Sequence, residues 1–157
     1  MTQLTLDAAN RIIAAIIARG VELQCRPLAL IVVEPGSVVQ AFQKEDGCSM
    51  ARFEMAYGKA YAALALGRNS SLVRIRNEEK PAFMQYLFAA TDHKIFPEGG
   101  GMLIRSASGD AIGAVGVTGD TEEQDEELAA LGIRAAGFKT DEDCAGMGRK
   151  VNVRRTK

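Results

Sequence analysis

Residues 112–121 read Ile112-Gly-Ala-Val-Gly-Val-Thr-Gly-Asp-Thr121, followed at once by Glu122-Glu-Gln-Asp-Glu-Glu127. Ala111 to Val117 has the branched, apolar character of a strand, and Gly113 and Gly116 within it mark close approach of another backbone or of a ligand. Asp120 with Glu123, or Thr121 with Gln124, has capping-box spacing, so a helix starts here and runs from about Glu122 to Ala136. Strand, glycine and helix start converge at Asp120 and Thr121, which makes those two residues site candidates. Glu122, Glu123, Glu126 and Glu127 complement the dipole of a first helical turn. Their negative charge argues against a phosphate ligand, despite the free helix N–H groups.

Working outward, Met102 to Arg105 pairs with this strand through Ser106-Ala-Ser-Gly-Asp110, a hairpin connection. Before it stands Phe96-Pro-Glu-Gly-Gly-Gly101, and Ile95 with Phe96 reads as a further short strand. An Ala-rich helix from about Ser49 to Leu66 carries the apolar stripe Met50, Phe53, Tyr57, Ala60 and Leu64. Gly67 closes it, and Asn69 or Ser70 caps the next segment, which Pro81 divides before Ala82 to Ala90. Nearer the start, Leu28 to Val33 is a continuous apolar run that predicts a strand covered on both faces. Turn residues Glu34-Pro-Gly-Ser37 connect it to Val38 to Gln43, making a first hairpin. Thr5 caps an opening helix with Leu6, Ala9, Ile13, Ile16 and Ile17 near the helical period. Helix, hairpin, two helices, short strand, hairpin and helix predict an α+β single domain. Its central, mostly antiparallel sheet has about five strands, with four helices packed on its faces. No strand leads into a GxGxxG helix start, so a dinucleotide-binding fold is excluded.

A chain of 157 residues, 47% hydrophobic and 25% charged, is the size and composition of one globular domain. A formal net charge of −1 and the lack of tryptophan argue against nucleic acid as a partner. No apolar run is long enough to span a bilayer, which predicts no membrane partner. Met1 to Asp7 lacks a basic region leading into an apolar run, which predicts a cytoplasmic location. Cys25, Cys48 and Cys144 are widely spaced, and with one histidine in the chain they read as reduced thiols rather than a zinc or disulfide set.

Three segments carry candidate chemistry. Gly99, Gly100 and Gly101 expose backbone N–H groups with no Cβ to keep a ligand away. Arg52 and Lys59, seven residues apart on one helix face lined by Ala56 and Ala63, can meet a carboxylate. His93 is the sole imidazole and so the one conventional nitrogen ligand for a metal or haem iron. No Ser/His/Asp or Cys/His arrangement is evident. The stretch from Lys139 to Lys157 reads as a polar tail, with Arg149, Lys150, Arg154, Arg155 and Lys157 in its last nine residues.

Together, Thr5 to Ala9, the hairpin Ala29 to Phe42, Gly58-Lys-Ala60, Pro81-Ala-Phe83, Gly99 to Ile104 and Ile112 to Glu126 resemble the GlcG/HbpS-like family, which includes domains of the PduO C-terminal type. The likeness covers most of residues 4–137, so residues 1–138 are expected to form the domain and 139–157 a tail. The resemblance implies a profilin-like fold and a homo-oligomer of four to eight subunits. It also implies a small-molecule ligand, haem or a related tetrapyrrole. In that reading Lys59 or Arg52 meets the propionates, Gly99 to Gly101 and Thr121 admit the ring, and His93 holds the iron. A second reading is a cofactor-independent enzyme of small-molecule catabolism. There Glu98 or Asp120 acts as general base, Lys59 holds a substrate carboxylate, and N–H groups near Gly100 and Thr121 stabilise developing charge. A third is a partner protein with no chemistry, for which the basic terminus is the cue.

Overall fold

The computed structural model of the chain describes residues 3–144. Thr5 has extended backbone and its hydroxyl accepts the Ala8 N–H at 3.1 Å, which starts helix α1 (Leu6–Glu22). Strands β1 (Ala29–Glu34) and β2 (Val38–Lys44) follow, then helices α2 (Arg52–Leu66), α3 (Ser70–Glu79) and α4 (Pro81–Ala90). Strands β3 (Gly101–Arg105) and β4 (Ala111–Thr118) and helix α5 (Glu122–Ala135) complete the order. The strands form one antiparallel sheet in the order β2-β1-β4-β3, with β1 and β4 central. The α+β architecture is as expected. Among the described residues no helix is long and apolar enough to cross a membrane.

Two expectations change. The sheet has four strands rather than about five, because Ile95 and Phe96 do not join it. Ile95 is buried among Ala62, Val73 and Met84 of the helices, and the Phe96 N–H bonds the Gly58 carbonyl of α2 at 3.1 Å. An apolar pair between glycine-rich and polar segments looks like a strand, but here helix packing takes it. Among the described residues the helices number five, because Lys80 leaves the helical region (φ −136°, ψ 67°) and Pro81 opens α4 at its first turn. Proline has no N–H to lose there, and it bars its predecessor from helical geometry.

The pleat of β1 divides the core. Leu30 and Val32 face α1 and α5, where Ile12, Ile13, Ile16, Leu128 and Ile133 are buried with Ile104, Val115 and Val117. Ile31 and Val33 face the other way, onto Ala56, Ala60 and Ala63 of α2, with Leu103 and Ala114 beside them. The continuous apolar run of β1 is therefore the mark of a strand covered on both faces. α2 comes very close to its face: a Cβ at Gly101 would strike the Lys59 carbonyl, and one at Gly116 would strike that of Ala56. Only glycine fits at both positions.

The fold continues past residue 138, where a tail is expected. The Arg105 N–H donates to the Lys139 carbonyl at 2.8 Å and the Lys139 N–H returns to Arg105 at 2.9 Å, so this segment covers the outer edge of β3. Arg105 Nε meets Asp141 Oδ1 at 2.5 Å, and Arg134 of α5 holds Asp143 through Nε and Nη2, each at 3.0 Å. Thr140 and Asp143 cap each other reciprocally, and Cys144 is buried. The five basic residues from Arg149 to Lys157 lie outside the described residues.

Candidate functional site

Helix α5 begins where β4 ends, and its first turn is built by side chains that bond backbone. Thr121 is the cap, its hydroxyl accepting the Gln124 N–H at 3.2 Å. Asp120 sits just before it, with Oδ2 accepting the Arg26 N–H at 2.9 Å and Oδ1 the Thr121 N–H at 2.8 Å. These two backbone donors hold the Asp120 carboxyl below the usual carboxylate range. It is a loop staple and a poor general base.

Below this turn lies a charge cluster. Lys59 is fully buried, and its Nζ donates to Asp125 Oδ2 at 3.1 Å and to the Val117 carbonyl at 3.0 Å. Asp125 is equally buried, and its Oδ1 accepts the Asp120 N–H at 3.1 Å. Burial pushes the Asp125 carboxyl up, against the pull of the Lys59 ammonium. Glu98 Oε1 stands 3.7 Å from the same ammonium. With its side chain 39% exposed, Glu98 is the member of the cluster that reaches solvent.

The glycine loop closes over this cluster. Gly99 donates its N–H to Glu122 Oε1 at 2.6 Å and Gly101 to Ser70 Oγ at 2.7 Å, while Ser70 donates to the Glu98 carbonyl at 2.5 Å. A Cβ at Gly100 would meet the Val117 carbonyl, with Lys59 Cδ at 3.1 Å. The space left by the missing side chains is filled by protein atoms, and the N–H groups of Gly99, Gly101, Asp120 and Thr121 already have acceptors. The loop therefore packs against α2 and α5 rather than cradling an anion. Lys59, with no exposed surface and a carboxylate at hand, cannot reach a propionate or a substrate carboxylate.

The structure thus gathers Lys59, Glu98, Gly99 to Gly101, Asp120 and Thr121 at one end of the sheet, sets Arg52 beside them against the last residue of β4, and leaves His93 elsewhere. Arg52 opens α2, and its Nη1 donates to Thr118 Oγ1 at 2.8 Å and to Met55 Sδ at 3.3 Å, both uncharged. His93 lies exposed in the turn after α4, with φ 56°, and among the described residues its imidazole makes no hydrogen bond or ion pair. Among the described residues no group of three or more His, Cys, Asp or Glu side chains is placed to hold a metal.

Sequence reasoning missed Asp125, the centre of the cluster. Its signal was present: Asp125 shares the α5 stripe of Leu128, Ala129, Gly132 and Ile133, all buried. Lys59 shares the α2 stripe of Ala56, Ala60 and Ala63 in the same way. A charge on the buried stripe of each of two helices has to find a partner, and here each finds the other.

Residues 4–134 match the sequence profile of the family described as haem-degrading protein HbpS-like. An uncharacterised 15.0 kDa protein from the dhaT-dhaS intergenic region of Citrobacter freundii is 31% identical over 130 residues, covering 83% of this chain and 89% of its own. The crystal structure of Klebsiella pneumoniae protein ORFY superposes with a TM-score of 0.77 at 26% identity, over 87% of this chain and 92% of that one. A crystal structure described as the PduOC:heme complex gives 0.78 at 22% identity, over 88% and 99%, a likeness of fold. With a profile match across nearly the whole domain and a full-length relative beside it, the chain belongs to the HbpS-like family.

Proposed function

We propose that the protein binds haem or a related tetrapyrrole. The observation that carries this reading is the family match over residues 4–134, and the chemistry of one surface supports it. Arg52 is a half-buried cation whose hydrogen-bond partners among the described residues are uncharged, so its guanidinium can take a propionate. Beside it, Met50 in the turn before α2 is 94% exposed and Phe53 in its first turn is 38% exposed. Phe53 stacks on Tyr57 at 6.1 Å and meets Phe42 edge-on at 4.9 Å, which offers a flat apolar surface to a macrocycle. Bound haem would supply a redox-active iron. The chain would supply propionate pairing through Arg52 and ring contact through Phe53 and Met50. His93, the sole imidazole, is the nominated iron ligand. Assembly into a homo-oligomer of four to eight subunits and a cytoplasmic role in catabolism belong to the same proposal.

Titration of the purified protein with haem tests it, with Arg52→Ala and His93→Ala alongside. Saturable, stoichiometric growth of a Soret band is expected, weakened about tenfold by Arg52→Ala and shifted in wavelength by His93→Ala. Non-saturating uptake that is equal in all three proteins would overturn the reading. Light scattering on the same samples tests the oligomer.

The enzymatic alternative is narrowed by the geometry. Lys59 is sealed, the Asp120 carboxyl is held low by backbone donors, and the Thr121 N–H is taken. Glu98 alone of that set touches both the buried ammonium and solvent. Any acid–base chemistry at this end of the sheet would run through Glu98, and Glu98→Gln would abolish it.

A further inference from the structure

Helix α4 reads Pro81-Ala-Phe-Met-Gln-Tyr-Leu-Phe-Ala-Ala90 and carries no charged residue, yet Met84 is its one buried residue. Leu87 and Phe88 pack partly beside Met84, against Ala62, Val73 and Ile95. The opposite side faces outward: Tyr86 is 72% and Phe83 48% exposed, with Ala82 and Ala89 open beside them. A helix that is apolar all round belongs in an interior, so one covered on a single side calls for cover on the other.

The charges at the two ends of α4 say what that cover is. Glu79 and Lys80 stand before the helix and Asp92 and His93 after it, all exposed. Among the described residues none of the four is in an ion pair. Let two copies of α4 run antiparallel about a two-fold axis at Tyr86. Lys80 and Asp92 lie equally far from Tyr86 along the chain, so Lys80 stands opposite Asp92 of the partner subunit. Glu79 falls opposite the partner's His93 by the same symmetry, and the Phe83 ring opposite the small Ala89 of the partner subunit. A two-fold contact makes each of these pairings twice. A parallel arrangement would set Lys80 against its own copy. We infer that α4 is a self-association surface on which two copies of this chain pair antiparallel about Tyr86. The inference rests on the homo-oligomer part of the reading above, for which it names the contact, and does not require haem. Other covers fit less well. Residues 145–157 are basic with no acid among them, and would meet Lys80 and the Arg76 guanidinium that lies over Phe83 at 5.8 Å. An anionic lipid surface would face Glu79 and Asp92.

Sedimentation equilibrium of the full chain over a dilution series tests the inference, with Tyr86→Glu, Lys80→Glu and Asp92→Lys alongside. Circular dichroism melts establish that the variants fold. Tyr86→Glu sets two carboxylates face to face on the axis and should lower the assembled mass about twofold. Lys80→Glu and Asp92→Lys each bring like charges together at both ends of the contact, and each should weaken association about tenfold or more. An equimolar mixture of those two variants restores unlike charges at both ends, and its association should return to within about threefold of wild type. Only antiparallel self-pairing gives that recovery. An assembled mass that none of the variants lowers would overturn the inference and leave the oligomer resting on another surface. A wild type that is monomeric at every concentration would overturn both. In that event, binding to phosphatidylserine vesicles that Tyr86→Glu abolishes would assign α4 to a membrane. Self-association gained only on deleting residues 145–157 would assign it to the chain's own terminus.

Discussion

On one face of the sheet, branched side chains of α1 and α5 fill the space above Leu30, Val32 and Val117. On the other, α2 lays alanines against Ile31, Val33 and Ala114 and brings its carbonyls down onto Gly101 and Gly116. The first face is held by bulk, the second by closeness. Bulk tolerates small changes of shape, because each aliphatic side chain contributes its area and neighbours can adjust. Closeness does not, because a helix backbone in contact with a strand has no side chain to move aside. The close-packed face is also where Lys59 descends to Asp125, joining α2 to α5 past the end of β4. The two layers are thus tied by one buried ion pair, and that pair is the sharpest place to break the comparison.

Asp125→Asn keeps the shape of the side chain but leaves the Lys59 ammonium buried with only the partly exposed Glu98 carboxylate, 3.7 Å away, as counter-charge. Removing one member of such a pair costs about 3–5 kcal/mol, and urea denaturation should show a loss of that size. The double variant Lys59→Met with Asp125→Leu removes both charges and should recover most of it, since a buried pair roughly balances its own desolvation. A cost under about 1 kcal/mol for Asp125→Asn would mean that water or the Glu98 carboxylate compensates the ammonium, as at exposed pairs.

Next in size is a contrast between the faces. Gly116→Ala puts a methyl against the Ala56 carbonyl, with Ile31 Cγ2 at 3.0 Å, and the helix must lift to admit it. Overpacking of this kind costs about 1–3 kcal/mol. Ile13→Val, on the bulky face, removes one buried methylene and should cost about 0.5–1.5 kcal/mol. Thermal melts of the two single variants give the order directly. If Ile13→Val were the costlier, the distinction between bulk and closeness would fail.

The bulky face was legible from the sequence, and the close-packed one only in part. Apolar residues at helical spacing in α1, and the uninterrupted run of β1, place a strand with cover on both sides. Gly113 and Gly116 were marked as points of close approach, yet nothing in the sequence says whether a ligand or a helix approaches. At Gly116 and Gly101 it is a helix, and at Gly100 it is the Val117 carbonyl of β4, so an expected cradle is a packing seam. Asp125 stayed hidden among five neighbouring acids because capping explains acids in a first turn so readily. The helical stripe separates it from them, since only the fifth residue of the capped turn points to the core. Residues 139–144 look like tail in the sequence because their polarity resembles that of the basic terminus. Their attachment comes from a single backbone bridge and three ion pairs, which leave no periodic mark.

That attachment gives the smallest expected effect. The Arg134 guanidinium and the Thr140 N–H hold the Asp143 carboxyl down to about 2, below its ordinary 3.8. A lowered value means that the unattached state binds the proton more readily. The stability Asp143 contributes is therefore complete above pH 3.8 and disappears as the pH falls toward about 2. Exposed pairs are worth about 0.2–1 kcal/mol, so Asp143→Asn should leave the global melt almost unchanged. It should instead raise the exchange rate of the Lys139 amide, which bonds Arg105 at the sheet edge, by up to about fivefold at pH 6. In the wild type the same amide should lose protection only as the pH drops through the window below 3.8, while amides in β1 keep theirs. Loss of protection in both places together would show that the extension and the sheet open as one unit, and that the ion pair at Arg134 is not what holds the edge of β3 closed.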